Sequence, residues 1–129
     1  MRGVAMNRLA VSTHERATTQ DIHETTRQLV SGLGVTAVSF LAGAKDSKQA
    51  SKWQRADGPN PRDKAAARLI AAHRAWQTLS SAENEYVARN WFIGANPRLG
   101  ERSPLEVLRE GEVTLTLQAA QAFVEGTDG

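Results

Sequence analysis

Apolar side chains recur every three or four positions along most of this chain, which is the spacing of one face of an α-helix. The longest such stretch covers residues 61–79, where Leu69, Ile70 and Trp76 share one face. The same spacing predicts further helices over residues 21–32, 35–41, 48–55, 81–93, 104–110 and 112–125. We therefore expect an all-α fold.

Capping and breaking residues set the predicted ends of these helices. Asp21 is a suitable N-cap for the first helix, and either Ser80 or Ser81 is suitable for the helix that ends near residue 93. Gly43 is expected to end the second helix, and the sequence Gly58-Pro59-Asn60-Pro61 to stop the third.

The segment from Val113 to Leu117 allows two interpretations. Its apolar and polar residues alternate as they do along a β-strand. However, Val113, Leu117, Ala120 and Val124 also share one helix face. No turn residue interrupts this run, so we favour a helix over residues 112–125.

The stretch from Trp91 to Gly111 is rich in residues that end and begin helices. Gly94 is expected to end one helix in the left-handed cap conformation. Asn96 and Pro97 then start a turn, because Pro97 fixes its own φ and moves the residue before it out of the α region. Leu99 supplies an apolar anchor within this connector.

A serine, a proline and a glutamate predict where the next helix starts. Ser103 is a suitable N-cap, Pro104 suits the first helical position, and Glu106 completes a capping box three residues after the serine. An ordered connector of this kind is expected to present a surface to a partner, unlike a linker.

The composition favours helices over sheet and argues against several classes of protein. Aromatic residues make up 5% of the 129 residues, and alanine and leucine dominate the apolar ones. No cysteine is present for a disulfide or a thiolate metal site. No apolar run approaches the about 18 residues that span a bilayer. We expect a cytoplasmic protein without membrane contact, whose residues 1–20, which lack a clear period, form a flexible arm.

The residues that commonly carry catalysis do not form a recognisable arrangement. His14, His23 and His73 are scattered, and no pair of carboxylates shares a motif with them. The serines lack a nucleophile elbow and a partnering base. We therefore expect neither enzymatic activity nor a cofactor or metal.

The charged residues are unevenly distributed. Seven lysines and arginines face three aspartates between residues 45 and 68, whereas residues 101–129 hold six acidic and two basic side chains. A basic middle and an acidic end suggest two different partners. Solvated helix faces without a partner are the alternative.

The predicted helices over residues 35–41 and 48–55 resemble a helix-turn-helix, with the turn near Gly43. Ala50 and Trp53 are expected to face the core. The remaining polar side chains of the second helix can neutralise phosphates or bond to base edges. The predicted DNA-binding residues are Ser47, Lys48, Gln49, Ser51, Lys52 and Arg55. The alternative is a three-helix cap that only supports the C-terminal half.

The residues from Trp91 to Gly111 follow the spacing W-x4-N-P-x-L-G-x-R-x-P-L-E-x-L-x-x-G. This spacing resembles the toxin-binding domain of the Xre/MbcA/ParS-like antitoxins, and the pair Lys52-Trp53 is similar to their N-terminal half. Relatives often have glycine where this chain has Glu101. The resemblance implies a DNA-binding N-terminal half and a C-terminal half that holds a RES-domain toxin, an enzyme that degrades NAD⁺, inactive.

Two groups of residues are candidates for binding the toxin. Polar side chains near the connector can face outward, and arginine is favoured at interfaces; these residues are Asn96, Arg98, Arg102 and Arg109. The alternative is that the last two arginines cap carbonyls or pair with Glu106 and Glu110. The resemblance implies that the last helix also contacts the toxin, and the matching positions are Phe123, Val124, Glu125 and Gly126.

We divide the chain into an arm (residues 1–20), a helix-turn-helix-like region (21–60), a linking helix (61–80) and a toxin-binding domain (81–129). The resemblance implies the antitoxin of a type II toxin–antitoxin system, which occludes the active site of its cognate RES-domain toxin. It also implies autoregulation through operator DNA, and a homodimer or a larger complex with the toxin. The alternatives are a stand-alone helix-turn-helix transcription regulator whose C-terminal half dimerises, and an adaptor with no DNA role.

Overall fold

The computed structural model describes residues 22–126, and in that range the chain forms seven α-helices and no β-strand. Helix α1 covers residues 22–33. The following elements are α2 (Val35–Leu41), α3 (Gln49–Trp53), α4 (Asp63–Ala82), α5 (Glu85–Ile93), a 3-10 turn (Pro97–Leu99), α6 (Pro104–Arg109) and α7 (Val113–Glu125). The all-α prediction is therefore confirmed. The predicted arm, the predicted cap Asp21 and residues 127–129 lie outside the described residues.

Helix α4 is the element around which the others pack. It lies against α5 and α7 and also contacts α2 and α6, while α2 packs directly on α6. The buried side chains form one cluster that draws on all seven helices. Its largest fully buried side chains are Leu29, Leu41, Leu69, Leu79, Phe92, Leu99 and Leu108. Helices from the two predicted halves therefore share a single core.

Helix α1 meets the aromatic part of this core through a glycine. A Cβ atom at Gly32 would lie only 2.4 Å from a ring carbon of Trp76, so a side chain at this position has no room. The Trp76 ring in turn lies 6.2 Å from the ring of Phe92, centroid to centroid. Phe92 contacts Trp91 edge-on, at 5.1 Å. Close approach of backbone to ring thus fixes the position of α1.

The boundary between α4 and α5 differs from the prediction. Helix α4 continues through Ser80 and Ser81 to Ala82, and neither serine is an N-cap. Asn84 caps α5 instead, with its side chain accepting a hydrogen bond of 2.9 Å from the backbone N–H of Val87. The prediction was wrong because serine and asparagine share the same capping chemistry, and the sequence holds both within four positions.

Helix α3 is shorter than the predicted 48–55 range, since it ends at Trp53. Beyond it the chain turns, and the N–H of Gly58 donates to the carbonyl of Arg55 at 2.9 Å. A Cβ at Gly58 would lie 2.0 Å from the carbonyl oxygen of Lys52, so the turn folds back tightly on the helix. Ala50 and Trp53 are buried, as predicted.

Two further predictions about the core have opposite outcomes. The alternating segment that begins at Val113 is helical, as we favoured, and the buried Thr116 hydroxyl donates to the carbonyl of Glu112 at 3.1 Å. A polar residue can therefore occupy the inner face of this helix. In contrast, Ile70 is 44% exposed, although its spacing predicts the inner face of α4.

No helix within the described range is both long and apolar enough to cross a membrane.

Candidate partner-binding site

The connector between α5 and α6, residues 94–103, is called the elbow below. Helix α5 ends at Gly94 as predicted, but this glycine is extended, with φ −88° and ψ 154°. The left-handed conformation occurs later, at Gly100 (φ 68°) and Glu101 (φ 69°). The predicted left-handed cap was wrong because the chain leaves α5 in an extended direction and reverses only after the 3-10 turn. For Glu101, a non-glycine residue, this conformation costs about 1–2 kcal/mol.

Asn96 organises the elbow and does not face outward. Its side chain accepts a hydrogen bond of 2.9 Å from the N–H of Arg98, and its backbone carbonyl accepts from both Leu99 and Glu101 at 2.9 Å. Its own N–H donates to the carbonyl of Arg102 at 3.1 Å. Only 6% of the residue is exposed. The expectation of an outward-facing Asn96 was therefore wrong, because an asparagine before proline bonds to its own turn.

The predicted capping box at the start of α6 is confirmed. The Ser103 hydroxyl accepts from the N–H of Glu106 at 3.2 Å, and the Glu106 carboxylate accepts from the N–H of Ser103 at 3.1 Å. The hydrogen bond from the Ser103 backbone N–H is the main reason that the pKa of the Glu106 carboxylate is lowered, and the Ser103 side chain adds to this effect. The elbow therefore passes into α6 through a fixed geometry.

Arg102 is held by groups of the same region. Its Nε donates to the carbonyl of Leu99 at 2.9 Å, and its guanidinium pairs with Glu112 at 3.0 Å and with Glu110. The hydrogen bond to Glu112 is the main reason that the pKa of Arg102 is raised. Arg102 therefore caps a carbonyl and pairs with Glu110, as the alternative interpretation expects. One third of its side chain is exposed.

Arg109 reaches from α6 to the end of α2. Its guanidinium donates to the carbonyl of Phe40 at 2.7 Å and to that of Ala44 at 3.2 Å, and it lies over the Phe40 ring at 4.6 Å. These contacts satisfy carbonyls at a helix C-terminus, where a cation is also favoured by the dipole. The carbonyl-capping alternative therefore describes Arg109.

Two more arginines make the same kind of contact, and the sequence analysis did not single them out. Arg68 of α4 donates to the carbonyl of Ala42 at 3.3 Å, and Arg89 of α5 donates to the carbonyl of Gly32 at 3.0 Å. Together with Arg109 they join the ends of α1 and α2 to the rest of the bundle. A side-chain bond to a distant backbone carbonyl leaves no pattern in the sequence.

The elbow and the last helix meet at an open cleft of about 390 Å³. We call it the Trp91 cleft. Eight residues line it: Val87, Asn90, Trp91, Gly94, Ala95, Asn96, Pro97 and Phe123. Of the predicted toxin-binding residues, Asn96 and Phe123 line this cleft and the others do not.

The indole of Trp91 leaves one polar atom unsatisfied. Within residues 22–126, its Nε1 is buried and has no hydrogen-bond partner. An orphaned buried donor of this kind costs about 1–3 kcal/mol. Ile93, which ends α5 and precedes the cleft residue Gly94 in the sequence, is 56% exposed.

The other predicted toxin-binding residues lie at the surface. Arg98 is exposed on the 3-10 turn, and Glu125 is exposed at the end of α7, where it accepts from Gln121 at 2.9 Å. Val124 is half-buried. Gly126 ends α7 in the left-handed conformation, with φ 73°.

The predicted DNA-binding residues lie on α3 and directly before and after it. Ser47, Lys48, Lys52 and Arg55 are exposed, while Gln49 and Ser51 are half-buried. Arg55 follows the helix and is not part of it, because α3 ends early. The six residues therefore share one short segment and include no carboxylate. The neighbouring Asp46 carboxylate accepts a hydrogen bond of 2.9 Å from the N–H of Lys48.

Two side chains that the sequence analysis missed fix the position of α3. The buried hydroxyl of Ser39 accepts a hydrogen bond of 2.9 Å from the N–H of Ala50. Nδ1 of His23 lies 2.7 Å from the carbonyl of Trp53. His73, the third histidine, bonds to Gln28 at 2.6 Å. No group of three or more metal-ligating side chains occurs in the part of the chain that the structure describes.

Comparisons with family models, with curated proteins and with solved structures found no match to this chain.

Proposed function

We propose that this chain is the antitoxin of a type II toxin–antitoxin pair and neutralises a RES-domain toxin by covering its active site. The proposal starts from the resemblance of the stretch Trp91 to Gly111. The observation that carries it is the Trp91 cleft, where the residues of that stretch and Phe123 of the last helix form one continuous surface.

The turn of the elbow itself is ordered by internal hydrogen bonds. Hydrogen bonds close the turn around Asn96, and the capping box fixes the entry to α6. A surface that is ordered before binding loses less conformational entropy when the partner arrives. The exposed Ile93 and Arg98 extend this surface with an apolar and a cationic group.

We further propose that the segment around α3 binds operator DNA, so that the antitoxin regulates its own transcription. Three exposed cations, Lys48, Lys52 and Arg55, supply phosphate contacts, and the half-buried Gln49 can reach a base edge. A transcription regulator without a toxin is the second candidate, and these same cations favour it.

Co-expression with the RES-domain protein of an adjacent reading frame separates the two candidates. The full chain is expected to restore growth, and Ile93→Asp is expected to abolish the rescue by placing a charge on the exposed apolar residue that ends α5, directly before the elbow. Ile70→Asp is the matched control, since Ile70 is also an exposed isoleucine of a helix but lies within α4 and does not adjoin the elbow in the sequence.

Failure of the wild-type chain to restore growth, with both proteins present in the cell, would overturn the antitoxin proposal. Equal rescue by the two isoleucine variants would place the toxin contact elsewhere. A plain regulator would retain operator binding and give no rescue.

A further inference from the structure

The lining of the Trp91 cleft carries no ionisable side chain. Its eight residues offer apolar surface, the exposed amide of Asn90 and the indole of Trp91. Its volume of about 390 Å³ lies within the about 300–1,000 Å³ of ligand-binding pockets. A charged occupant would lose its hydration here without gaining an opposite charge, so the cleft is suited to a neutral one.

The indole of Trp91 adds a second requirement. Its Nε1–H is a donor only, it is buried, and within residues 22–126 no acceptor pairs with it. A neutral group that supplies a strong acceptor is the backbone carbonyl of another chain. Because Nε1 has no contact with solvent, the carbonyl can reach it only when the groups covering it move as the partner binds.

We propose, building on the function proposed above, that the Trp91 cleft receives an uncharged apolar side chain of the toxin. A backbone carbonyl of the same toxin segment accepts a hydrogen bond from Trp91 Nε1. The lining without charged groups favours an uncharged side chain, and the unpaired Nε1–H donor favours a carbonyl acceptor. The toxin segment is therefore held by its backbone as well as by its side chain.

Nuclear magnetic resonance of the indole groups tests the chemistry without the toxin. The chain has three tryptophans, so its ¹⁵N-labelled spectrum has three indole signals, with Trp53 and Trp76 as internal references. The probe is N-acetyl-leucine N-methylamide, which offers one apolar side chain and two carbonyls. We expect a saturable downfield shift of the Trp91 indole proton alone.

Two related compounds are the controls. N-acetyl-leucine, which carries a carboxylate, and N-acetyl-alanine N-methylamide, which lacks the large side chain, are expected to shift the Trp91 signal at least fivefold less at equal concentration. An unchanged Trp91 signal at the highest leucine amide concentration, or equal shifts of all three indoles, would overturn the assignment of the cleft.

The toxin complex tests the occupant. Ala95 is exposed and lines the cleft, so Ala95→Phe fills it from the rim. We expect this variant to weaken toxin binding at least tenfold, with Ala56→Phe, a change at another exposed alanine, as the control. Trp91→Phe is expected to weaken binding at least fivefold more than Trp76→Phe, which removes the same indole N–H elsewhere in the core.

The possible failures are distinguishable. Full rescue of growth together with normal toxin affinity of Ala95→Phe would leave the antitoxin function in place and overturn the cleft as its contact. A shift with leucine amide but no toxin binding by the wild type would overturn the proposed function and with it the toxin as occupant. A Trp91 signal that shifts with protein concentration alone would assign the cleft to a second copy of this chain.

Discussion

The guanidinium of Arg109 lies 4.6 Å from the centre of the Phe40 ring, although sixty-nine residues separate the two in sequence. The same guanidinium bonds to the carbonyls of Phe40 and Ala44. Helix α6, which follows the elbow, is thus connected directly to the turn that precedes α3. The hydrogen bonds of Arg109 therefore connect the helix next to the candidate partner-binding surface with the turn next to the candidate DNA-binding segment.

Replacement of Arg109 by methionine is expected to destabilise the chain by about 2 kcal/mol, because carbonyls at the end of α2 lose charged donors and the ring loses its cation. Denaturant unfolding measures the change. Arg74→Met, at an exposed arginine of α4, is the control and should cost less than about 0.5 kcal/mol. Equal losses in the two variants would contradict the role of the α6–α2 contact.

Replacement of Gly32 by alanine is expected to cost about 2 kcal/mol, since the new methyl group would overlap the ring of Trp76. Thermal unfolding would report the loss. In a Trp76→Leu background the ring is absent, so the same glycine substitution should cost less than about 1 kcal/mol. If the cost is the same in both backgrounds, the ring contact is not responsible for it, since helix propensity alone would favour alanine over glycine.

Replacement of Glu101 by glycine is expected to raise the free energy of unfolding by about 0.5–1 kcal/mol. The left-handed φ of 69° is strained for glutamate and free for glycine, and the gain is reduced by the greater entropy of the unfolded glycine chain. Glu101→Ala removes the same charge and keeps the strain, so it should give no gain. A similar gain in both variants would point to charge and not to backbone conformation.

The Glu106 carboxylate is expected to make stability depend on pH. Its pKa is lowered from 4.5 chiefly by the hydrogen bond from the Ser103 backbone N–H. A lowered pKa in the folded state means that the carboxylate stabilises the fold above pH 4.5, and that this contribution is lost as the pH falls through the lowered value. The stability difference between wild type and Glu106→Gln should therefore shrink from pH 7 to pH 3.

A companion variant separates the two parts of the capping box. Ser103→Ala removes the hydroxyl, which accepts from the N–H of Glu106 and also helps to lower the pKa of its carboxylate, so its cost of about 1 kcal/mol at pH 7 should fall only in part toward pH 3. A Glu106→Gln difference that stays constant down to pH 3 would show that the carboxylate charge does not matter.

Replacement of Lys48 or Lys52 by alanine is expected to weaken DNA binding and to reduce the slope of log K against log salt by about 1 for each phosphate that the variant no longer neutralises. Binding to a fragment of the promoter upstream of the chain's own reading frame, measured from 50 to 200 mM salt, gives the slope. Arg74→Ala is the control. An unchanged slope in both lysine variants would exclude α3 as the phosphate-binding segment.

The sequence allowed the helices to be predicted wherever local chemistry marks their ends. The capping box of Ser103 and Glu106 and the helix end at Gly94 are local signals, and the structure has helix boundaries at both. Ser80, Ser81 and Asn84 show the limit, since all three are suitable caps and only packing of the whole helix α4 decides among them.

The candidate site could be predicted less well because its geometry depends on distant contacts. The elbow motif marked the right segment, but Asn96 turned inward to bond its own loop and Arg109 turned toward α2. The bond from Arg89 to the carbonyl of Gly32 spans fifty-seven residues, and its acceptor is a main-chain oxygen that no residue type identifies. Such contacts become visible only when the fold is known.

Side-chain bonds to main-chain oxygens also affect which changes this chain can tolerate during evolution. Arg68, Arg89 and Arg109 bind main-chain oxygens, which every amino acid presents alike. Apart from Gly32 and Phe40, whose packing is specific, side chains at the ends of α1 and α2 can therefore be exchanged without removing the acceptors of these bonds. A single insertion or deletion there would displace the oxygens from the arginines, so the length of these helices is the inherited constraint.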